Sequence, residues 1–228
     1  MIEWRQKLVG RRAMVKNQIR SLLKGHGVVP LKGHRLWTQT GLRWLQDQPF
    51  AMASEAIRRD MLLEELGEHE ARIHRVEQEL DRIASGHAGV ALLRSIPGVG
   101  PRTAEAFVAY IDIPQRFRQV RQVGVYLGLV PQQDASGDKN YLGHITKEGP
   151  ATVRKLLTET VWQGIHRDPQ IGAHFERICK GDKERKKIAV IATARWLATV
   201  MLAMLKSGEG WRKAPAIASN SPAEVLPG

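Results

Sequence analysis

The string Leu93-Arg94-Ser95-Ile96-Pro97-Gly98-Val99-Gly100-Pro101-Arg102-Thr103-Ala104 sets two glycines around one apolar residue, between two stretches of helical spacing. Few local structures accept that order. Gly98 and Gly100 can adopt positive φ and let another backbone come close, Val99 can pin the turn into a core, and Pro101 suits the first turn of a helix. The expected product is a helix-hairpin-helix over 93–111, whose second helix offers N-terminal amides to an anion such as a phosphate. Arg94 and Arg102 would add positive charge. A tight interhelical turn that binds nothing fits the same residues.

Charge bears on that choice. The 228 residues carry 35 Lys and Arg against 23 Asp and Glu, a formal net charge of +12. Such a balance favours a polyanionic partner over acidic small molecules. The sole cysteine, Cys179, excludes an internal disulfide and a Cys-based zinc site, so a reducing cytoplasm is expected. The start, Met1-Ile2-Glu3-Trp4-Arg5-Gln6-Lys7, lacks the apolar run of a signal peptide. The stretch from Ile188 to Leu205 is long enough to raise the question of a membrane, but Arg195 lies near its middle and Lys186-Lys187 precede it. A cation at that depth is costly in lipid, so the stretch is expected to be a core helix, with no membrane partner.

Spacing elsewhere is mostly helical, giving a mainly α fold: a long helical coiled-coil arm, then a compact helical domain with the helix-hairpin-helix. In the first segment Leu8, Val15, Ile19 and Leu22 share a face and the cations lie mostly elsewhere, which predicts a basic amphipathic helix ending near Gly25 and Gly27. An irregular connector follows over 25–53, with a short helix around Leu42, Trp44 and Leu45. From Ser54 to Ala84 the residues Leu62, Leu66, Ile73, Val76, Leu80 and Ile83 alternate by three and four, interrupted by His69, as a coiled-coil seam does. That seam suits a helical pair within the chain as well as a homo-oligomer. The arm is placed at 1–89, the compact domain at 90–212, and a disordered tail of small residues and prolines at 213–228.

Between Pro131 and Pro150, Gln132-Gln133-Asp134-Ala135-Ser136-Gly137-Asp138-Lys139-Asn140 has the polar composition of a loop. Ser136-Gly137 is either an ordinary turn or a hydroxyl beside a permissive glycine. A serine nucleophile needs a base or metal to accept its proton, and no such partner follows from local spacing. Beyond it, Thr146, Lys147 and Arg154 flank the start of a helix, where an anion could sit. Two further basic runs, Arg116/Arg118/Arg121 and Lys180/Lys183/Arg185/Lys186/Lys187, read as phosphate tracks or solvated faces.

Taken together, Ile96-Pro97-Gly98-Val99-Gly100, Gly124-Val125-Tyr126-Leu127-Gly128-Leu129-Val130-Pro131, Ser136-Gly137, Gly143-His144-Ile145-Thr146-Lys147-Glu148-Gly149 and the apolar helix to Leu205 resemble the C-terminal half of the IS110 family of insertion-sequence transposases. Each motif is weak alone; their order and spacing are specific. The resemblance implies DNA transposition, with Ser136 matching the serine that attacks a phosphodiester. It also implies DNA as a partner and a structured guide RNA, by similarity to RNA-guided recombinases. Gly98, Gly100, Arg102, Lys139, Lys147 and Arg154 become the candidate nucleic-acid contacts. In the family a RuvC-like N-terminal domain carries metal-binding carboxylates, and the 92 residues before Leu93 show helical arm and connector instead. No cofactor is therefore expected within this chain, Mg²⁺ being implied only with a separate RuvC-like domain. Ala194-Arg195-Trp196-Leu197 departs from the family in lacking a second basic residue after the arginine.

Three functions compete on these grounds: a bacterial, cytoplasmic and nucleoid-associated transposase component; a catalytically silent fragment that binds nucleic acid and oligomerises; and a helical scaffold with a basic surface.

Overall fold

The computed structural model describes residues 1–30, 35–136 and 139–212, and of residues 133–136 and 139–142 the backbone alone. The tail at 213–228 lies outside the described residues. The chain divides into two compact units, Met1–Ser85 and the part from Gly86 onward.

In the first unit, α1 (Ile2–Gly25) and α3 (Ala53–Ala84) pack against each other, with α2 (Gln39–Gln46) in the connection. The pairs Arg5–Glu77, Lys16–Glu70 and His26–Glu55 rise along α1 while falling along α3, so the two helices run antiparallel. Beneath them lie two apolar clusters. Leu8 meets Ile73, Val76 and Leu80, while Val15, Ile19, Leu22 and Leu23 join Leu62, Leu66 and Leu45. The seam of α3 is thus covered by α1 of the same chain, and Ile83, expected in that seam, is exposed. The short helix anticipated around Trp44 is α2, opened by Thr38, whose hydroxyl accepts the Gly41 amide at 3.2 Å.

The second unit comprises α4 (Ala88–Leu93), α5 (Pro101–Ile111), a 3₁₀ turn (Pro114–Arg116), α6 (Gln122–Tyr126), strands β1 (Pro131–Ser136) and β2 (Lys139–Ile145), α7 (Ala151–Gly164), α8 (Pro169–Cys179) and α9 (Lys186–Ser207). Helix α9 is its axis, contacting α4, α6, α7 and α8. Its Ala189, Ala194 and Ala198 are fully buried, and their small side chains let neighbouring helices come close. By length and composition α9 could cross a membrane. Its contacts explain the apolar run differently: Leu197, Met201 and Leu202 form the centre of this unit.

The fold is mainly helical, with one correction. The segment expected to be a loop is an antiparallel β-hairpin, pairing Ser136 with Lys139, Ala135 with Asn140, Asp134 with Tyr141 and Gln133 with Leu142, with an irregularity between Pro131 and Gln133. The first strand is polar, and Pro131–Ser136 contains no β-branched or aromatic residue, so strand propensity gave no signal there. The cue available in the sequence was the dipeptide Gly137-Asp138, a pair of residue types common in two-residue hairpin turns.

Candidate nucleic-acid interface

The turn between α4 and α5 forms where the glycines demanded it, but the two glycines do different work. Gly98 has φ of +94°, and a Cβ there would stand 3.0 Å from both Cα and N of Gly164 on α7. Its lack of a side chain serves packing of the domain against itself. Gly100 has φ −80° and ψ 169°, so the positive φ allowed for it is not used. It is the N-cap of α5, no side chain caps that helix, and a Cβ at Gly100 would meet nothing within 4 Å. Val99 is buried as expected, and Thr103 Oγ1 lies 3.0 Å from Thr160 Oγ1 in the buried interface of α5 with α7. Arg102, anticipated as a phosphate contact, instead pairs with Glu105 at 3.0 Å, its side chain only 15% exposed. Arg94 is exposed. Of the hairpin's anticipated grip, Gly100 and Arg94 face open space, while Gly98 and Arg102 are engaged inside the domain.

Two sequence motifs noted separately turn out to be one structural joint. Gly128 (φ +62°) and Gly149 (φ +74°) are glycines because their backbones press on each other's segments. A Cβ on Gly128 would stand 2.1 Å from the Glu148 carbonyl oxygen, and one on Gly149 would stand 2.1 Å from that of Tyr126. Across this joint Arg154 Nη1 donates to the carbonyls of Leu127 (3.1 Å), Glu148 (2.6 Å) and Gly149 (3.0 Å). Burial pushes the Arg154 pKa down, though a guanidinium stays charged at any physiological pH. Arg154 Nη1 is therefore committed to positioning the joint, a role its place on α7 did not announce. The Thr146 amide donates to the Val130 carbonyl at 3.0 Å and closes the base of the β-hairpin. Ser136 ends β1 and Lys139 begins β2; their side chains lie outside the described residues.

Lys147 sits beside the joint, exposed and with φ of +58°, a conformation that costs a non-glycine residue energy. Thr146 Oγ1 is buried without a hydrogen-bond partner among the described residues. Of the basic runs, Arg116 is spoken for: it donates to the Tyr110 carbonyl at 3.0 Å and lies 4.9 and 4.7 Å from the Phe117 and Tyr126 rings. Arg118 and Arg121 are exposed, as are Lys180, Lys183, Arg185, Lys186 and Lys187. Lys186 and Lys187 open α9, at the positive end of its dipole, where cations destabilise a helix and an anion relieves it. Among the described residues no three His, Cys, Asp or Glu side chains converge, so these residues do not fit a Mg²⁺ site, and no step below is routed through a metal.

Residues 90–176 match the family described as "Transposase IS116/IS110/IS902 family". The chain is 32% identical over 165 residues to the "Transposase for insertion sequence element IS1111A" of Coxiella burnetii, covering 69% of this chain and 43% of that protein. It is 33% identical over 156 residues to the "Probable family 20 transposase" of Pseudomonas aeruginosa, covering 67% and 46%. A Sinorhizobium fredii protein named as transposase y4pF/y4sB is 25% identical over 233 residues, covering 97% of this chain and 58% of its own length. The chain thus spans about half the length of these relatives.

Proposed function

From residues 90–176, which match the IS116/IS110/IS902 transposase family, we propose that this chain acts in the transposition of an insertion sequence. It holds DNA through phosphate contacts and presents Ser136 to a phosphodiester. The observation that carries this reading is the β-hairpin whose first strand ends at Ser136: its base is fixed by the Gly128–Gly149 joint and by Arg154. Exposed Lys147 beside the joint and the exposed cations at 180–187 support a polyanionic partner.

In the step proposed, Ser136 Oγ attacks phosphorus, the new O–P bond forming as the bond to the leaving sugar oxygen breaks. That oxygen takes a proton, and the serine proton leaves to solvent. A hydroxyl of a second strand then attacks the phosphoserine diester and restores Ser136. A RuvC-like partner domain, a structured RNA and a cytoplasmic, nucleoid-associated setting complete this proposal. Self-association belongs to it too, but the α3 seam is covered by α1, so copies would meet through another face or by displacing α1.

The test is a trapping experiment with labelled DNA carrying an element junction, run on the chain alone and with a RuvC-like domain and element RNA. A denaturation-resistant adduct mapping to the Ser136 peptide, and missing in Ser136→Ala, is expected in the complete mixture. DNA binding with no adduct in either mixture would leave the catalytically silent binding module standing. Absence of binding would remove both.

A further inference from the structure

A groove of about 610 Å³ lies between α6, α8 and α9. Arg121, Arg177 and Arg195 line it, all exposed. Among the described residues no carboxylate lies within ion-pairing distance of any of the three, and no Asp or Glu lines the groove. Two other arginines of this unit do have such anchors: Arg102 has Glu105, and Arg212 has Glu209 at 2.6 Å. Three unneutralised guanidinium groups around one concavity repel each other unless an anion joins them.

The groove is also built. Gly124 faces the stem of Arg195: a Cβ there would stand 2.9 Å from Arg195 Cγ and 3.1 Å from Cδ, so α6 leaves room for that side chain. His174 and Trp196 lie flat against each other, ring centroids 4.6 Å apart and planes within 14°. His174 Nδ1 is 3.3 Å from the buried Thr193 hydroxyl. Burial, then the nearby charges of Arg177 and Arg195, hold the His174 pKa below its ordinary value, as two close cations should. Val130, the residue before β1, lines the same groove, which places it at the root of the hairpin that bears Ser136.

Building on the nucleic-acid reading above, we propose that this groove binds an unpaired nucleotide of a single-stranded segment, its flanking phosphates held by Arg121, Arg177 and Arg195 and its base against the His174–Trp196 stack. The chemistry requires both parts. Arginine forks match phosphate oxygens, and an aromatic surface accepts any base through its π-face. A base stacked inside a duplex has no free face for the protein, so the groove selects unpaired strand. It holds the strand beside the hairpin root, ahead of Ser136.

The test compares the full chain with Arg177→Ala/Arg195→Ala and with a charge-matched control, Lys7→Ala/Lys24→Ala, both exposed on α1. Anisotropy with fluorescent single-stranded DNA, single-stranded RNA and duplex DNA reads affinity, and circular dichroism checks folding. The groove variant is expected to lose about tenfold or more in single-strand affinity relative to the control. Its plot of log affinity against log salt is expected to be shallower by about 1.4, two phosphate contacts at about 0.7 each. Photo-crosslinking of 4-thiothymidine in the single strand is expected to label the α8 and α9 peptides that carry His174 and Trp196. Equal losses in both variants, duplex binding without single-strand binding, or crosslinks only elsewhere would overturn the groove assignment and leave the transposase reading intact. A native chain that binds none of the three probes would overturn both. The DNA and RNA arms say which strand occupies the groove.

Discussion

Arg154 shows how one side chain can look like a ligand in sequence and act as a strut in structure. Its place on α7 suggested a phosphate contact, yet its guanidinium ties three carbonyls from two segments that lie far apart in sequence. Removing it takes the donor from one partly buried and two exposed carbonyls, so Arg154→Ala is expected to lower stability by about 1–2 kcal/mol in chemical denaturation. Loss of affinity without loss of stability would contradict the strut. Gly98 and Gly100 separate in the same way. Gly98→Ala meets Gly164 backbone at 3.0 Å and a positive φ, and should destabilise the domain markedly. Gly100→Ala enters open space and should change stability by no more than about 0.5 kcal/mol, making it the clean probe of whether the α5 terminus binds backbone. Lys147 tests the reverse trade: Lys147→Gly relieves a positive φ and is expected to stabilise by up to about 1 kcal/mol while weakening nucleic-acid binding. Unchanged binding would remove Lys147 from the interface.

Among the elements, the long helices were readable because burial imposes its own period: the apolar faces of α1 and α3, and the continuous apolar run of α9, are written in the spacing. Neither the β-hairpin nor the groove was. The hairpin's first strand is polar, and the joint at its root brings Gly128 to Glu148 across twenty residues, which no local pattern records. The Arg102–Glu105 pair was visible at i,i+3 spacing, while the groove draws Arg121 from the cap of α6, His174 from α8 and Arg195 from α9. The packing of α8 on α9 carries a pH signature. His174 on α8 faces Arg177 of its own helix and Arg195 of α9, with Arg121 across the groove, and its folded pKa lies below its unfolded value. The unfolded chain therefore binds the proton more readily. This contribution to stability is full above the ordinary histidine pKa of about 6.5 and is lost as pH falls through that value toward the folded one. The melting temperature should fall on acidification through this window, and His174→Gln should flatten the change. An identical profile in the variant would place the acid sensitivity elsewhere.

Across the whole molecule, the net charge of +12 is distributed in a way that folding stability does not require. Cations lie where, among the described residues, no carboxylate pairs with them: at the opening of α9, in the groove, and on Lys147 at the hairpin root. Such placement is explained by a partner that brings negative charge, and the similarity of residues 90–176 to a transposase family supplies a reason to propose nucleic acid as that partner. The most direct measurement is the affinity of the full chain for DNA, with and without RNA, across salt from about 50 to 200 mM. A straight, steep fall of log affinity against log salt is predicted, since several phosphate contacts release several counterions. Affinity that is absent, or flat over that range, would contradict it.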